Sequence, residues 1–394
     1  MVTHSRLPRQ SFVVEDPNVA AASLLYDMSA LQTNERSELG YRRAAKAIVA
    51  LPMAIGDLVR EDRLREVPFV GPSSIRIVQE FVETGRSATL DQAVASAGRS
   101  SKIAKLRPLR ERFLSEHVMR QVLEAPVSGD IVAAADFRGD FQMHSTWSDG
   151  AASLETMVEA CLERGHECLG ITDHSYGLPI ANGMSMDAVA RQHREIDALN
   201  ARHVGRFRVY KGVEANILED GSLDLQPAER RLFEFVVASP HAQLRRAEDQ
   251  TARMLAAVRA PGVAILGHPR GRMFNKRPGV KADWRRVFDA AAERGVAIEI
   301  DGNWHRQDID YALAVQALDA GCLLALDSDA HSVEELRYTD YSLAHARLAG
   351  APADRVINCW SDDRLSAWME ERRLSTPSQP ARNGTAARAR RAPR

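Results

Sequence analysis

Cysteine is scarce in this chain: there are 4 in 394 residues, at positions 161, 168, 322 and 359, with no C-x-x-C pair among them. That excludes the disulfide framework of a small secreted domain and argues against a purely structural zinc site. The expectation is a set of reduced, mostly buried thiols in a cytoplasmic protein. Long apolar runs are missing too. No stretch approaches the ~20 residues that a helix needs to cross a bilayer. Arg6, Arg9, Glu15 and Asp16 interrupt the N-terminus where a secretory signal would be apolar. Nor is there an excess of either charge, because 52 basic residues face 53 acidic ones, for a net charge of −1. The balance conceals a local bias. Ser375 to Arg394 carry five arginines and no acid, which leaves 47 basic against 53 acidic residues in the body of the chain. This basic tail, 375–394, lacks apolar periodicity and is expected to be disordered.

What is there divides in two. From about Pro17 to Ala125, apolar residues recur at helical spacing, as in Val19, Ala22, Leu25 and Tyr26. The run 41–51 repeats the pattern with Arg42, Arg43 and Lys46 on its outside. The spacing predicts an all-α domain over 1–125. Within 64–86 a turn signal (Pro68, Gly71, Pro72) separates two short helical segments, the second starting at Pro72 or Ser73 and stopping at Gly85. A further helix is expected from about Ile103 to Leu123, and a Pro- and Gly-marked linker, 126–136, follows it. From Phe137 the period changes. Apolar runs near 169–171, 207–213, 233–238, 263–266, 296–300 and 322–326 read as buried strands, alternating with helical stretches at 153–164, 186–201, 246–258, 284–294 and 310–320. Such alternation means βαβ units and a parallel sheet. About seven units favour a closed barrel over 137–374. An open doubly wound sheet is the alternative, but no Gly-rich phosphate loop follows the first strand.

Residue types that bind metals gather at the ends of these strands. His144 with Asp149, His174, Glu214, His241, His268, and Asp329 with His331 each follow an apolar run. Five of the 12 histidines therefore fall where barrel enzymes build their sites. Any one alone has a plain explanation, such as a helix cap or a satisfied core histidine. Together they are what a protein needs to hold several divalent cations. His305 follows the strand ending near Ile300 and borders either the pocket or the surface.

The motifs FRGDFQMHSTWSDG, GITDHS, YKGVEANILEDGSLD, VVASPH, LGHPRGR, IEIDGN and LDSDAH run in this order through 137–373. They resemble those of the PHP (polymerase and histidinol phosphatase) family of phosphoesterases, most closely the PHP domain that ends bacterial family X DNA polymerases. The resemblance implies a distorted seven-stranded β/α barrel with a trinuclear site for zinc, manganese or iron. Carried over position by position, Gln142, His144, Glu214 and Asp329 surround a first metal. Glu214 bridges to a second held by His241 and His268, and Asp149, His174 and His331 hold a third. A metal-bound water held by Glu214, His144 and Asp329 is the implied nucleophile. Arg272, and after it Arg270 or Lys211, are candidates for neutralising a substrate phosphate. One departure stands out: the family's opening motif reads His-x-His, and here it is Gln142-Met143-His144. A neutral amide oxygen is a weaker ligand than imidazole.

Residues 30–86 resemble the small helical N-terminal domain of family X polymerases, through YRRAAKAIVALP and the helix-hairpin-helix-like EVPFVGPSSIRIVQEFVETG. Such a hairpin binds a DNA phosphate through N–H groups at a helix N-terminus, which makes Gly71, Ser73, Ser74 and Arg76 the candidate DNA contacts. Phe69 stands where the hairpin has its first glycine, and the lysines of a Schiff-base lyase are absent. Between Gly85 and Phe137 there is no Gly-Gly-Ser motif and no Asp-x-Asp pair. The polymerase palm and fingers are therefore lacking and no polymerisation is expected. The expected activity is metal-dependent phosphoester hydrolysis on DNA ends (3′–5′ exonuclease, 3′-phosphatase or abasic-site processing), with DNA as partner and no membrane. A small-molecule phosphatase of the histidinol-phosphatase type is the alternative, and a non-catalytic DNA-binding module the second.

Overall fold

A computed structural model describes residues 14–374, so the basic segment 375–394 lies outside the described residues. The chain opens with α1 (Pro17–Leu31), α2 (Glu35–Val49), α3 (Ile55–Arg60), α4 (Pro72–Thr84), α5 (Ala88–Ala97), α6 (Ser100–Leu106) and α7 (Glu116–Glu124). Local chemistry sets these ends. The Asp16 carboxylate accepts from Val19 N at 2.9 Å ahead of Pro17 in the first turn of α1, and Asn34 caps α2. Gly85 ends α4 at φ 76°, a backbone that glycine adopts without strain. The single helix expected over 103–123 is broken instead. Pro108 removes an N–H that a continuing helix would use, Arg107–Arg110 tighten into a 3-10 turn, and α7 restarts on a Ser115 cap. Apolar faces of these helices meet around Leu25, Ile48, Ile55 and Ile77, all fully buried.

The second part holds β1 (Gly139–Asp140), β2 (Cys168–Ile171), β3 (Arg208–Asn216), β4 (Phe235–Ser239), β5 (Val263–Leu266), β6 (Ala297–Asp301) and β7 (Leu323–Asp327). All neighbours pair parallel, in chain order. Connecting and flanking helices are α8 (Leu154–Glu163), α9 (Met186–Arg202), α10 (Pro227–Arg230), α11 (Thr251–Arg259), α12 (Trp284–Arg294), α13 (Tyr311–Ala320), α14 (Thr339–Leu348) and α15 (Asp362–Leu374). This is a nearly closed seven-stranded β/α barrel. The strand alternation sorts its residues: Ile298, Ile300, Leu324 and Leu326 pack towards the helices, while Ala297 and Ala325 join Phe141, Tyr210 and Phe235 in a separate apolar cluster capped by Trp360 and Trp368 around α15. Gly170 and Gly212 lack the Cβ that would collide with the Phe235 ring.

The first strand is only two residues long, and side chains complete what its ladder omits. Phe141 N donates to Asp327 Oδ1 at 2.8 Å, Ser328 N donates to Asp140 Oδ1 at 3.3 Å, and His144 N donates to Ala330 O at 2.8 Å. Asn358 Nδ2 donates to Gly139 O at 2.9 Å and to Asp327 Oδ1 at 3.0 Å. These bonds draw β1 against β7. Among the described residues, no helix is long and apolar enough to cross a membrane.

The helical part is strapped to the barrel loops that follow β5 and β6. The Phe274 ring meets Tyr26 at 5.5 Å and Phe113 at 4.9 Å, both edge-on. Gln307 accepts from Leu114 N at 2.7 Å and donates to Leu114 O at 2.9 Å. Arg272 is buried and donates to the carbonyls of Glu111, Arg112, Arg306 and Gln307, with Asp310 as its counter-ion at 3.2 Å. Burial pushes its pKa down to about 10, against the pull of Asp310. Arg272 therefore works as a strut between the two parts, and the sequence-based expectation that it contacts substrate phosphate is corrected. Arg272→Met should cost about 3–5 kcal/mol, because it leaves buried Asp310 poorly compensated and four carbonyls without a donor. Urea denaturation measures this, and a loss under about 1 kcal/mol would show the strut to be dispensable.

Candidate metal centre

The strands end at one rim of the barrel, and the residues just past their apolar runs turn inward there. Glu214, on β3, shares the inward parity of Gly212 and is fully buried. Four imidazoles surround its carboxylate. His174 Nδ1 lies 2.9 Å and His144 Nε2 3.5 Å from Oε2, while His268 Nε2 lies 2.9 Å and His241 Nε2 3.4 Å from Oε1. Asp329 places Oδ1 3.3 Å from His144 Nε2. Asp149 Oδ1 is 3.6 Å from His174 Nε2 and 3.5 Å from His331 Nε2. The His144 ring stacks between those of His174 and His331, with centroids 4.3 Å away on each side.

Three sets of these atoms are close enough to share a cation: His144, Asp149, His174 and His331; His174, Glu214 and His241; His144, Glu214 and Asp329. Within each set the ligand atoms lie within 4.8 Å of one another. The donor set fits zinc, manganese or iron, being imidazole and hard carboxylate with no thiolate. Gln142 supports the fit. It is fully buried two residues before His144, and both amide atoms lack a hydrogen-bond partner, a costly state for a buried amide. Asp329 at φ 53° and His268 at φ 20° hold non-glycine residues in left-handed backbone, strain that persists where the surroundings over-determine a site.

The protonation states follow from burial and neighbours. Burial alone would raise Glu214, but His174 and His241 outweigh it and hold the carboxyl well below its usual range. Burial pushes His241 down to about 4, with Glu214 opposing. For His331, burial works downward, and the Asp149 hydrogen bond with the Asp329 carboxylate overcomes it, lifting the ring to about 10. Deeper in the barrel, burial and then Asp327 raise Glu299 well above the carboxylate range, and burial lifts Asp327 to about 6. Glu299 accepts from His268 N, so this acidic layer helps to orient a member of the site.

Asp173, next to His174, does structural work that its sequence position did not reveal. Its carboxylate accepts from Ser145 N at 2.8 Å, Ser145 Oγ at 2.7 Å, Ser148 N at 3.1 Å, Ser148 Oγ at 2.5 Å and Gln192 Nε2 at 2.7 Å. Those bonds fix the loop that presents Asp149. Gly150 permits the tight return of that loop, since a Cβ there would overlap the His144 backbone.

Eight of the nine ligand candidates are thus brought together: His144, Asp149, His174, Glu214, His241, His268, Asp329 and His331. The cationic candidates fare differently. Lys211 points outward from β3 and pairs with Asp197 of α9 at 2.5 Å. Arg270 pairs with Asp310 at 3.1 Å and donates to Pro278 O. Both are thus paired with carboxylates outside the ligand set, Asp310 and Asp197, rather than with a ligand residue. The arginine that does arrive is Arg306, from the loop after β6, with Nη1 3.0 Å from Asp329 Oδ2 and 3.7 Å from Asp301 Oδ2. Sequence reasoning missed it, although it follows the IEIDGN strand end by only three residues. In the helical part, Gly71 precedes α4, and Ser73 and Arg76 are exposed, but Ser74 is buried and cannot touch DNA.

Fold and site together define a β/α barrel whose rim carries side chains that could hold several divalent cations. Residues 140–303 match the family model described as PHP domain. The DNA polymerase/3′-5′ exonuclease PolX of Bacillus subtilis is 34% identical over 242 residues, 61% of this chain. The aligned part is 42% of that relative, so the chain spans less than half its length. The probable phosphatase YcdX of Escherichia fergusonii is 27% identical over 247 residues, 60% of this chain and 95% of the relative. Among solved structures, histidinol phosphate phosphatase of Lactococcus lactis aligns at TM-score 0.41 and 16% identity, over 53% of this chain and 93% of that one.

The raised pKa of His331 has a signed consequence for the metal-free protein. A ring lifted from 6.5 to about 10 contributes stability that is full below 6.5 and is lost as pH rises through 10. In chelator, the stability gap between the protein and His331→Gln should therefore narrow from pH 6.5 towards 10. Urea titrations across that range measure it, and a gap that widens with pH would contradict the Asp149–His331 pairing.

Proposed function

We propose that the chain hydrolyses phosphoester bonds at the ends of DNA strands, using up to three divalent cations of zinc, manganese or iron. The convergence of eight ligand side chains around Glu214 carries this reading. His144, Glu214 and Asp329, with Gln142, would hold one cation; Glu214, His241 and His268 a second; Asp149, His174 and His331 a third. Bound there, such ions supply Lewis acidity and lower the pKa of water at the site towards ~7. The chain's own groups provide the rest. Neutral His241 keeps a lone pair available, Glu214 stays ionised, and Arg306 offers a cation at the site to an incoming phosphate.

DNA as the carrier of the phosphate draws support from two directions. The similar polymerase/exonuclease has a DNA activity in its name. The helical part packs on the loops after β5 and β6, close to the metal centre, with Ser73 and Arg76 exposed at the start of α4. A small-molecule phosphatase is the second reading, favoured by the 95% coverage of YcdX. The two separate on a substrate panel of 3′-phosphorylated gapped duplex, single-stranded DNA and histidinol phosphate, with manganese or zinc. Hydrolysis of the DNA substrates is expected, and turnover of histidinol phosphate alone would remove the DNA reading. His268→Ala and Asp329→Ala should each lower turnover by ~10³ or more with the circular dichroism unchanged. Full activity in both would show that the ligand set is misassigned.

A further inference from the structure

Between the helical part and the barrel lies an open cleft of about 520 Å³ whose wall is cationic. The exposed face of α2 contributes Arg42, Arg43 and Lys46, α6 contributes Lys102, and the loop after β5 contributes Lys276. Glu38 is the only carboxylate among the lining residues, already paired with Arg42 at 3.5 Å. Five cations in one cleft are notable in a chain whose body is net acidic. Burial, with Lys46, Lys276 and Arg306 close by, pushes the lining His305 down to about 4, which agrees with a positive field there.

The cations alternate with aromatic rings. Lys46 Nζ sits 4.9 Å from the centre of the Trp304 ring, which lies 3.5 Å from His305. At the other end, Arg43 Cζ is 5.6 Å from the ring of Phe69, whose side chain is 63% exposed. Phe69 also holds φ 67°, the left-handed backbone a glycine would adopt without strain, so an exposed aromatic is kept here at a conformational cost. The cleft leads to the metal centre along one loop: Trp304 and His305 line it, and the next residue, Arg306, reaches Asp329.

We propose that this cleft is the track for a single-stranded polynucleotide, which runs from Phe69 over α2 to Trp304 and delivers its terminal phosphate past Arg306. The inference rests on the phosphoesterase reading above and adds where the strand lies and what grips it. Cations spaced along the cleft take the phosphates, and the exposed rings offer faces on which bases stack without sequence preference. Of the side chains suited to reading a base edge by amide or carboxylate, the lining holds just Asn275 and the Arg42-paired Glu38, so cations and rings dominate a grip that is largely independent of sequence.

The test is binding of fluorescent oligothymidylate to the full chain in chelator, where no turnover intervenes. Affinity should fall as salt rises, and R43E/K46E and R42E/K102E should each weaken it about tenfold or more. Arg285→Glu on α12, outside the cleft, should leave it unchanged. Phe69→Gly should weaken binding about fivefold while raising thermal stability, a combination that simple unfolding cannot produce. The track is overturned if both double variants bind within about twofold of the wild type, or if Arg285→Glu loses as much as they do. Cleavage of DNA by variants that bind normally would reject the track and leave the phosphoesterase reading standing. Binding through the cleft without cleavage by metal-loaded protein would do the reverse. Preference for oligouridylate over oligothymidylate would keep the track and replace DNA with RNA.

Discussion

A single buried carboxylate organises the end of this molecule that carries the candidate metal centre. Glu214 is buried away from bulk solvent, and an unpaired buried anion costs far more than the fold could tolerate. The imidazoles of His144, His174, His241 and His268 therefore come to it from four different strand ends, and each brings its own loop. The rest of the barrel rim follows from that demand. Asp173 immobilises the loop after β1, Glu299 holds the backbone of His268, and Asp329 accepts left-handed geometry to reach His144. Each of these concessions makes sense only if the ring of donors must close on a common centre.

The second organising contact is between the two parts of the chain. Arg272, Gln307 and Phe274 all leave the loops that follow β5 and β6, and all of them grip the segment between α6 and α7 or the core beside it. Loops are ordinarily the adaptable part of a barrel. Here they are fixed from behind by a helical body, so the wall above the metal centre has a defined shape. The broken helix at Pro108 belongs to the same arrangement, since an uninterrupted helix would carry Leu114 and Arg112 away from their partners.

Most of the barrel was legible because its physics is local. Six apolar runs fell within a few residues of the observed strands, and the ligand types announced themselves at their ends. The first strand was legible from the ligands that follow it but not in its bounds, being two residues long and completed by Asp140, Ser328 and Asn358 side chains rather than by a ladder. The cationic residues were the least legible. Nothing in LGHPRGR distinguishes an arginine that faces substrate from one that neutralises a buried aspartate, because Asp310 is 38 residues away from Arg272. Arg306 hid for the complementary reason: its partner Asp329 lies on the next strand end, and only closure of the barrel brings them together.

The join between β1 and β7 is stitched largely by side chains. His144 stands just beyond one lip of this seam and Asp329 just beyond the other. Anything that both residues grip is thus also a clasp on the cylinder. Losing it would loosen the wall where the ladder is thinnest, and the first local opening on that path would part the ligands from each other. Loading of the site and integrity of the scaffold are then two views of one equilibrium.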